Sequence, residues 1–108
     1  MLLCVASVIP HPDQFVLLDQ QVTIKCHAST SEPVVWEYRN PEMPSVAHIY
    51  DRRLLSAYKR RFTVDESTYD LSIRKTELND TGEYLCYEEE GVGILHITKL
   101  FVTGILWL

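Results

Sequence analysis

The octet NDTGEYLC, residues 79–86, decides the fold of this chain, because it places an aspartate, a glycine, a tyrosine and a cysteine at every second position. A period of two is that of a β-strand, in which alternate side chains point to the same face. In a strand that begins near Gly82, the side chains of Tyr84 and Cys86 therefore share a face. If that face is inward, Cys86 can meet Cys26 on an opposing sheet, with Trp36 packed against the bridge.

Short runs with the same alternation recur along the chain, and turn-forming residues separate them. The runs are QVTIKC (21–26), VVWEYR (34–39), YDLSIR (69–74) and TKLFVT (98–103). The turn signals are STSEP (29–33), NPEMP (40–44), NDTG (79–82) and EGVG (90–93). No long segment has a convincing helical period. The pattern predicts an all-β domain, either a two-sheet sandwich or a barrel.

Composition and motifs argue against several classes of protein. A length of 108 residues predicts one domain. A net charge of −5 argues against a nucleic-acid partner, because phosphate groups bind surfaces where Lys and Arg cluster. The three cysteines lack metal-ligand spacing and the four histidines are scattered, so we expect no metal and no cofactor. No G-x-S-x-G, H-E-x-x-H or glycine-rich phosphate loop occurs, so we expect neither catalysis nor a small-molecule substrate.

The cysteine count and the chain ends suggest where the protein lies. One disulfide and one leftover thiol indicate an oxidising compartment, so we expect an extracellular protein, secreted or tethered to the cell surface. Cys4 is either a leader residue with no role or a thiol free for intermolecular pairing. We interpret residues 1–9 as a leader remnant or an extension of the first strand, 10–104 as the domain and 105–108 as an apolar tail. That tail is far shorter than the roughly 20 residues of a membrane span, but it is compatible with the approach to one.

Several stretches together carry a resemblance to a known family. Cys26, Trp36, RRFTV (60–64) and DTGEYLC (80–86), in this order and spacing, resemble an immunoglobulin domain of the variable set, or V-set. WEYRNPEMPSVAHIYD (36–51) is similar to the antibody light-chain segment that runs from W-Y-Q-Q-K-P to L-L-I-Y, and TKLFVTG (98–104) resembles the end of a light-chain joining segment. The resemblance spans about residues 12–104. It implies an all-β, immunoglobulin-like, two-sheet Greek-key β-sandwich of the V type.

The resemblance also assigns roles to individual residues of the scaffold. It implies a disulfide between Cys26 and Cys86, with Trp36 packed against it. Tyr84 stands at the position of a tyrosine corner, whose hydroxyl bonds back to the preceding turn. The remaining scaffold residues are Gly82, which relieves the turn, and Asp80, which is placed to accept hydrogen bonds from Arg61.

One departure from the family pattern narrows the interpretation. The F-G-x-G of a joining segment is replaced by ILHI (94–97), so the glycine bulge of antigen receptors is missing, and the segment from Cys86 to Ile94 is short. We therefore expect a compact turn rather than a long hypervariable loop. This favours a non-rearranging, germline-encoded relative over a rearranging receptor.

V-set domains commonly pair through the sheet of strands G, F, C and C′, and this implies a partner-binding face. Carried over by strand alternation, the outward residues are Glu37, Arg39, Ala47, Tyr50, Leu85, Tyr87, Leu95 and Ile97. Exposed aromatic and aliphatic side chains on a sheet are typical of an association site. Alternatively, Leu85 and Ile97 are covered by their own loops. Glu37 and Arg39 could pair reciprocally across a two-fold axis, as a homodimer requires.

The sequence thus predicts a non-catalytic extracellular recognition module of an immune-type receptor or adhesion protein. Its expected partner is a protein ligand or a second immunoglobulin domain, which includes another copy of itself. The alternatives are a glycan- or lipid-binding lectin module and an antigen-receptor-like chain that pairs with a second chain. GEYLCYE (82–88) lacks the arginine of sialic-acid-binding relatives. Asn79 opens a glycosylation sequon with Asp80 and Thr81, although it is also a typical turn residue.

Overall fold

A computed structural model of the chain describes residues 7–27, 33–42, 46–88 and 94–104. The strands in this part are β1 (Ser7–Pro10), β2 (Gln14–Leu17), β3 (Val22–Ile24), β4 (Val34–Arg39), β5 (Val46–Asp51), β6 (Phe62–Val64), β7 (Leu71–Ile73), β8 (Gly82–Glu88) and β9 (Ile94–Thr103). Two short 3-10 helices span Ser56–Tyr58 and Leu78–Asp80. No helix in the described part of the chain is long and apolar enough to cross a membrane. The predictions for Cys4, for residues 105–108 and for a compact turn at 89–93 fall outside the described residues.

The strands form two sheets. The larger has the order β1-β9-β8-β4-β5, and β2 pairs with β9 beyond the end of β1. β1 and β2 run parallel to β9, and the other neighbours in this sheet are antiparallel. The smaller sheet is antiparallel and has the order β3-β7-β6. The predicted all-β, two-sheet immunoglobulin sandwich of the V type is therefore confirmed.

The core lies between the two sheets and surrounds the disulfide. Alternation on β3 and β7 buries Val22, Ile24, Leu71 and Ile73. Opposite them lies Trp36, which is buried and whose indole N–H donates to the carbonyl of Tyr69 at 2.7 Å. Burial of each aliphatic side chain of this size stabilises the fold by about 1.5–3 kcal/mol.

Cys26 and Cys86 form the predicted disulfide, with their Cα atoms 5.6 Å apart. Both cysteines are buried in the same cluster as Trp36. Cys26 follows β3 of the smaller sheet and Cys86 lies on β8 of the larger, so the bond ties the two sheets together through the core.

A β-bulge between β4 and β5 decides which side chains of β5 face the core. The register shifts between Trp36 and Glu37, so Tyr50 lies opposite Trp36 and Ala47 opposite the inward-facing Tyr38. Tyr50 is only 9% exposed, and its ring meets the ring of Tyr69 at 6.4 Å. The prediction that Ala47 and Tyr50 point outward is therefore wrong. Residues three apart share a face only across a bulge, and here the shared face is the inner one.

Gly82 begins β8 in a backbone conformation that a side chain would strain. Its φ is +156°, and a Cβ atom there would lie 2.5 Å from Cε1 of Tyr38. We expect Gly82→Ala to lower the free energy of unfolding by about 1–3 kcal/mol, because the tyrosine ring is held by its packing and cannot withdraw. Urea unfolding monitored by tryptophan fluorescence measures the change. Gly104→Ala is the matched control, since its Cβ would meet nothing within 4 Å, and an equal loss in both variants would contradict the prediction.

Candidate recognition face

An ion pair between Arg61 and the buried carboxylate of Asp80 anchors the turn before β8. Arg61 donates two hydrogen bonds to the carboxylate of Asp80, from Nη1 to Oδ2 at 2.8 Å and from Nη2 to Oδ1 at 3.1 Å. The same carboxylate accepts the backbone N–H of Glu77 at 2.7 Å and so caps the second 3-10 helix. The hydrogen bond to Asp80 raises the pKa of Arg61 above its ordinary value. The pair therefore fixes the turn that leads into β8.

Tyr84 continues this turn from the first inward position of β8. Its hydroxyl donates to the backbone carbonyl of Asp80 at 2.6 Å, and the ring is almost fully buried. Burial is the main cause that raises the pKa of this phenol. The ring also meets Tyr38 edge to face at 5.2 Å. Asp80 and Tyr84, together with Arg61 and Tyr38 from other strands and turns, thus orient β8, whose other face carries the candidate site.

Replacing the tyrosine hydroxyl should show how much the corner contributes. We expect Tyr84→Phe to lower the free energy of unfolding by about 1–2 kcal/mol, because the buried carbonyl of Asp80 loses its donor while the ring packing is kept. Chemical denaturation of the purified domain measures this loss. Tyr58→Phe serves as a control on a half-buried tyrosine and should change little. If Tyr84→Phe unfolds at the same urea concentration as the wild type, the hydroxyl does not stabilise the fold.

The side of the larger sheet that faces away from the core forms three cross-strand rows, which we call the outer face. The upper row contains Val35, Tyr87, Leu95 and Val8. The middle row contains His48, Glu37, Leu85, Ile97 and Pro10. The lower row contains Arg39, Glu83 and Lys99. Residues opposite one another on neighbouring strands lie side by side on the same face, so the rows form one continuous surface.

Glu37 holds a small hydrogen-bond network in the middle of the outer face. Its Oε2 accepts the hydroxyl of Tyr87 at 2.5 Å and Nε2 of His48 at 2.8 Å. The Glu37 side chain is only 14% exposed, while that of His48 is mostly exposed. The network therefore fixes the orientation of the Tyr87 ring and gives the face an ordered polar centre.

Arg39 pairs within its own domain rather than with Glu37. Its Nε and Nη2 donate to Oε1 of Glu83 at 2.8 and 2.7 Å. Since Glu37 is bonded to Tyr87 and His48, reciprocal Glu37–Arg39 pairs between two copies would first require both residues to exchange their present partners.

The apolar residues of the outer face differ in how accessible they are. Leu85 lies on this face between Glu37 and Ile97 but is only 5% exposed, so it supports its neighbours and has little surface of its own to offer. Leu95, Ile97 and Tyr87 are half-buried and present part of their side chains outward. The accessible apolar surface of the face therefore lies on β9, at the end of β8 and at Val8 of β1, which is 50% exposed.

Sequence reasoning missed six members of the face, which are Val8, Pro10, Val35, His48, Glu83 and Lys99. Glu83 and Lys99 follow from the same alternation that gives Leu85 and Ile97, so the signal was available. His48 was missed because its neighbour Ala47 was assigned outward in its place. Asn79, the candidate glycosylation site, is exposed at the turn before β8 and does not belong to the outer face. Across the described ranges, no group of three His, Cys, Asp or Glu side chains is arranged to hold a metal ion.

Comparison with known proteins agrees with the fold and the motif. The family model of the immunoglobulin V-set domain matches residues 10–103, and the chain therefore belongs to the immunoglobulin V-set family. Among solved structures it is similar to the extracellular domain of the voltage-gated sodium channel beta4 subunit, with 15% sequence identity and a TM-score of 0.64. That alignment covers 100% of this chain and 95% of the other, and at this identity it shows the fold alone. A search of curated proteins finds none that matches.

Proposed function

We propose that this V-set domain is a non-catalytic extracellular recognition module that binds a protein partner, including a second copy of itself, through the outer face. The observation that carries the proposal is the ordered centre of that face. Glu37, Tyr87 and His48 are already held in one network beside the partly exposed Leu95 and Ile97. A preorganised polar centre next to apolar side chains is the arrangement that protein interfaces favour, because little side-chain entropy is lost on binding.

The size of the outer face suits a weak pairing between two copies. β4 and β5 have six residues each and are about 20 Å long, and the five strands across the sheet span about 19 Å. The face therefore covers about 400 Å², less than the roughly 600–1,000 Å² that each partner contributes to a standard interface, so pairing through it would be weak and reversible. Its lower row carries both signs of charge, with Glu83 between Arg39 and Lys99. A surface of mixed sign can be complementary to its own copy about a two-fold axis.

Two further observations support the location and the mode of binding. The disulfide between Cys26 and Cys86 is typical of a protein outside the reducing cytosol. The structure of the sodium channel beta4 extracellular domain is described as a parallel homodimer that explains a role of that protein in cell-cell adhesion. The proposal extends this mode of assembly to the present chain.

Sedimentation velocity over a range from micromolar to submillimolar concentration tests the homodimer. We expect a reversible dimer whose dissociation constant rises at least tenfold in Leu95→Glu, which corresponds to a loss of about 1.4 kcal/mol of binding free energy. The new carboxylate lies within the apolar part of the face, where pairing would bury it without a counter-charge.

Thr63→Glu is the matched control, because Thr63 is exposed on β6 in the other sheet. This variant should dimerise like the wild type. A wild-type domain that stays monomeric throughout the range would overturn the homodimer, and equal weakening by both substitutions would place the contact away from the outer face.

A further inference from the structure

Three histidines meet where β1, β3 and β9 come together. His11 follows β1, His27 follows β3, and His96 lies on β9. Nε2 of His11 and Nδ1 of His96 are 2.9 Å apart and share a hydrogen bond. The centres of the two rings are 5.0 Å apart, much farther than the two nitrogens, and the ring planes differ by 19°. The two rings therefore meet edge to edge. The ring of His27 stacks on that of His11 at 4.5 Å. We call these three residues the histidine cluster.

The hydrogen bond between the two imidazoles depends on their protonation. One nitrogen must donate its proton and the other must accept it, so at least one ring has to be neutral. A second proton removes the acceptor and places two positive rings in contact. The pKa values of His11 and His96 both lie below the ordinary value. Burial is the larger cause, and the neighbouring imidazoles are the smaller one. The cluster therefore favours the neutral form of His11 and His96.

The other charged groups around the cluster do not favour one protonation state. Asp13 and Lys25 line the same hollow as His11 and His27, with one charge of each sign. Cys86 lies opposite His96 on β8 and is held in the disulfide, so it does not titrate. The balance is thus set by the three imidazoles themselves.

The cluster lies at the point where a weakly held strand ends. β1 pairs with β9 over only four residues, and the His11 N–H extends this pairing to the carbonyl of Ile97 at 2.9 Å. Val8 and Ile9 are 50% and 39% exposed, so β1 buries little apolar surface. Pro10 contributes no N–H to the ladder. The contact between His11 and His96 is therefore a substantial part of what holds β1 in place.

We propose that the histidine cluster is an acid-sensitive latch: neutral imidazoles hold β1 against β9, and their protonation releases β1 while the rest of the sandwich stays folded. The latch does not depend on whether the outer face binds a partner.

The direction of the pH response follows from linkage. Well above about pH 6.5, His11 and His96 are neutral in both the latched and the released states, so pH has no effect. Below that value the released state binds protons first, because the latched state lowers the pKa of His11 and His96. Release therefore grows as the pH falls, until the pH passes below the lowered values. Each pH unit by which one histidine is shifted changes the equilibrium roughly tenfold.

Hydrogen exchange at the backbone amide of His11 tests the latch directly. We expect its protection factor, corrected for the intrinsic exchange rate, to fall roughly tenfold or more between about pH 7.5 and about pH 5.5. Amides of β7 should keep their protection, which shows that the sandwich remains folded. In the variant His11→Gln/His27→Gln/His96→Gln the protection of this amide should be the same at both pH values. His48→Gln, on the outer face, is the matched control and should keep the wild-type response.

Three results would overturn the latch. They are a wild-type amide whose protection does not change with pH, an amide that is unprotected at both values, and a triple variant that responds like the wild type. If the triple variant does not fold, titration of the wild-type imidazole rings by NMR decides the question. His11 and His96 must then protonate below about pH 6.5, and values at or above this would reject the proposal.

Discussion

Removing the Cys26–Cys86 disulfide should lower the free energy of unfolding by about 4 kcal/mol. The two cysteines are 60 residues apart, so the bond restricts a large part of the unfolded chain. Domains of this size are stabilised by only about 5–15 kcal/mol, and the loss would therefore be a large share of the total. Urea unfolding of Cys26→Ala/Cys86→Ala at constant temperature measures it. Cavities left by the two buried sulfur atoms add to the loss.

The comparison should be made in a Cys4→Ser background, so that no third thiol can exchange with the disulfide. Cys4→Ser alone is then the reference, and dithiothreitol should destabilise it to nearly the same extent as the double substitution does. A double variant as stable as this reference would contradict the role of the bond in holding the sheets together.

Arg61→Ala should lower the free energy of unfolding by about 3 kcal/mol, because it leaves the buried carboxylate of Asp80 without its counter-charge. The backbone N–H of Glu77 still donates to that carboxylate, and Arg61 is itself partly exposed. The loss of stability should therefore not exceed about 3 kcal/mol. Thermal and urea unfolding of the variant give the measurement. Arg61→Lys should recover part of the stability, since an ammonium supplies the charge but cannot donate two parallel hydrogen bonds.

Arg53→Ala is the matched control for loss of a positive charge, because Arg53 is exposed and lies in the loop after β5. It should change the stability by no more than about 0.5 kcal/mol. If the Arg61 and Arg53 variants were equally stable, the ion pair would contribute nothing beyond the net charge, and the assignment of Asp80 as a buried anchor would be wrong.

The scaffold was predictable from the sequence because its signals are either local or strongly typed. Asp80, Gly82, Tyr84 and Cys86 stand within one octet, and their period of two gives their orientation directly. The partners outside the octet are the second cysteine, a tryptophan on a strand of clear alternation and an arginine next to Phe62. The chain has only three cysteines and two tryptophans, and the arginine is marked by its place in RRFTV (60–64).

The register of β5 could not be predicted in the same way. The alternation within VAHIYD gives no sign of the bulge, which arises where β5 pairs with β4 and places Ile49 and Tyr50 together in the core. A single inserted residue reverses the direction of every side chain beyond it. Strict alternation allows only one of Ala47 and Tyr50 to point outward, and with the bulge both point inward while His48 between them points outward.

Contacts between residues distant in sequence were also beyond prediction. His11 and His96 are 85 positions apart, and nothing in their local sequence indicates that β1 runs parallel to β9. The histidines looked scattered because the pairing of the first and last strands was unknown. In the same way, alternation places Glu37 and Tyr87 on one face, but only the register shows that they bond to each other and that Arg39 bonds to Glu83.

The parallel pairing of β9 with both β1 and β2 determines how the domain would respond to tension between its two ends. β1 and β2 lie near the start of the described chain and β9 at its end, and they run in the same direction side by side. Pulling the termini apart slides these strands along each other, so the backbone hydrogen bonds between them are loaded together in shear instead of opening one after another. A domain attached at one end and pulled through the other would therefore resist force at the same strands that carry Leu95, Ile97 and His96.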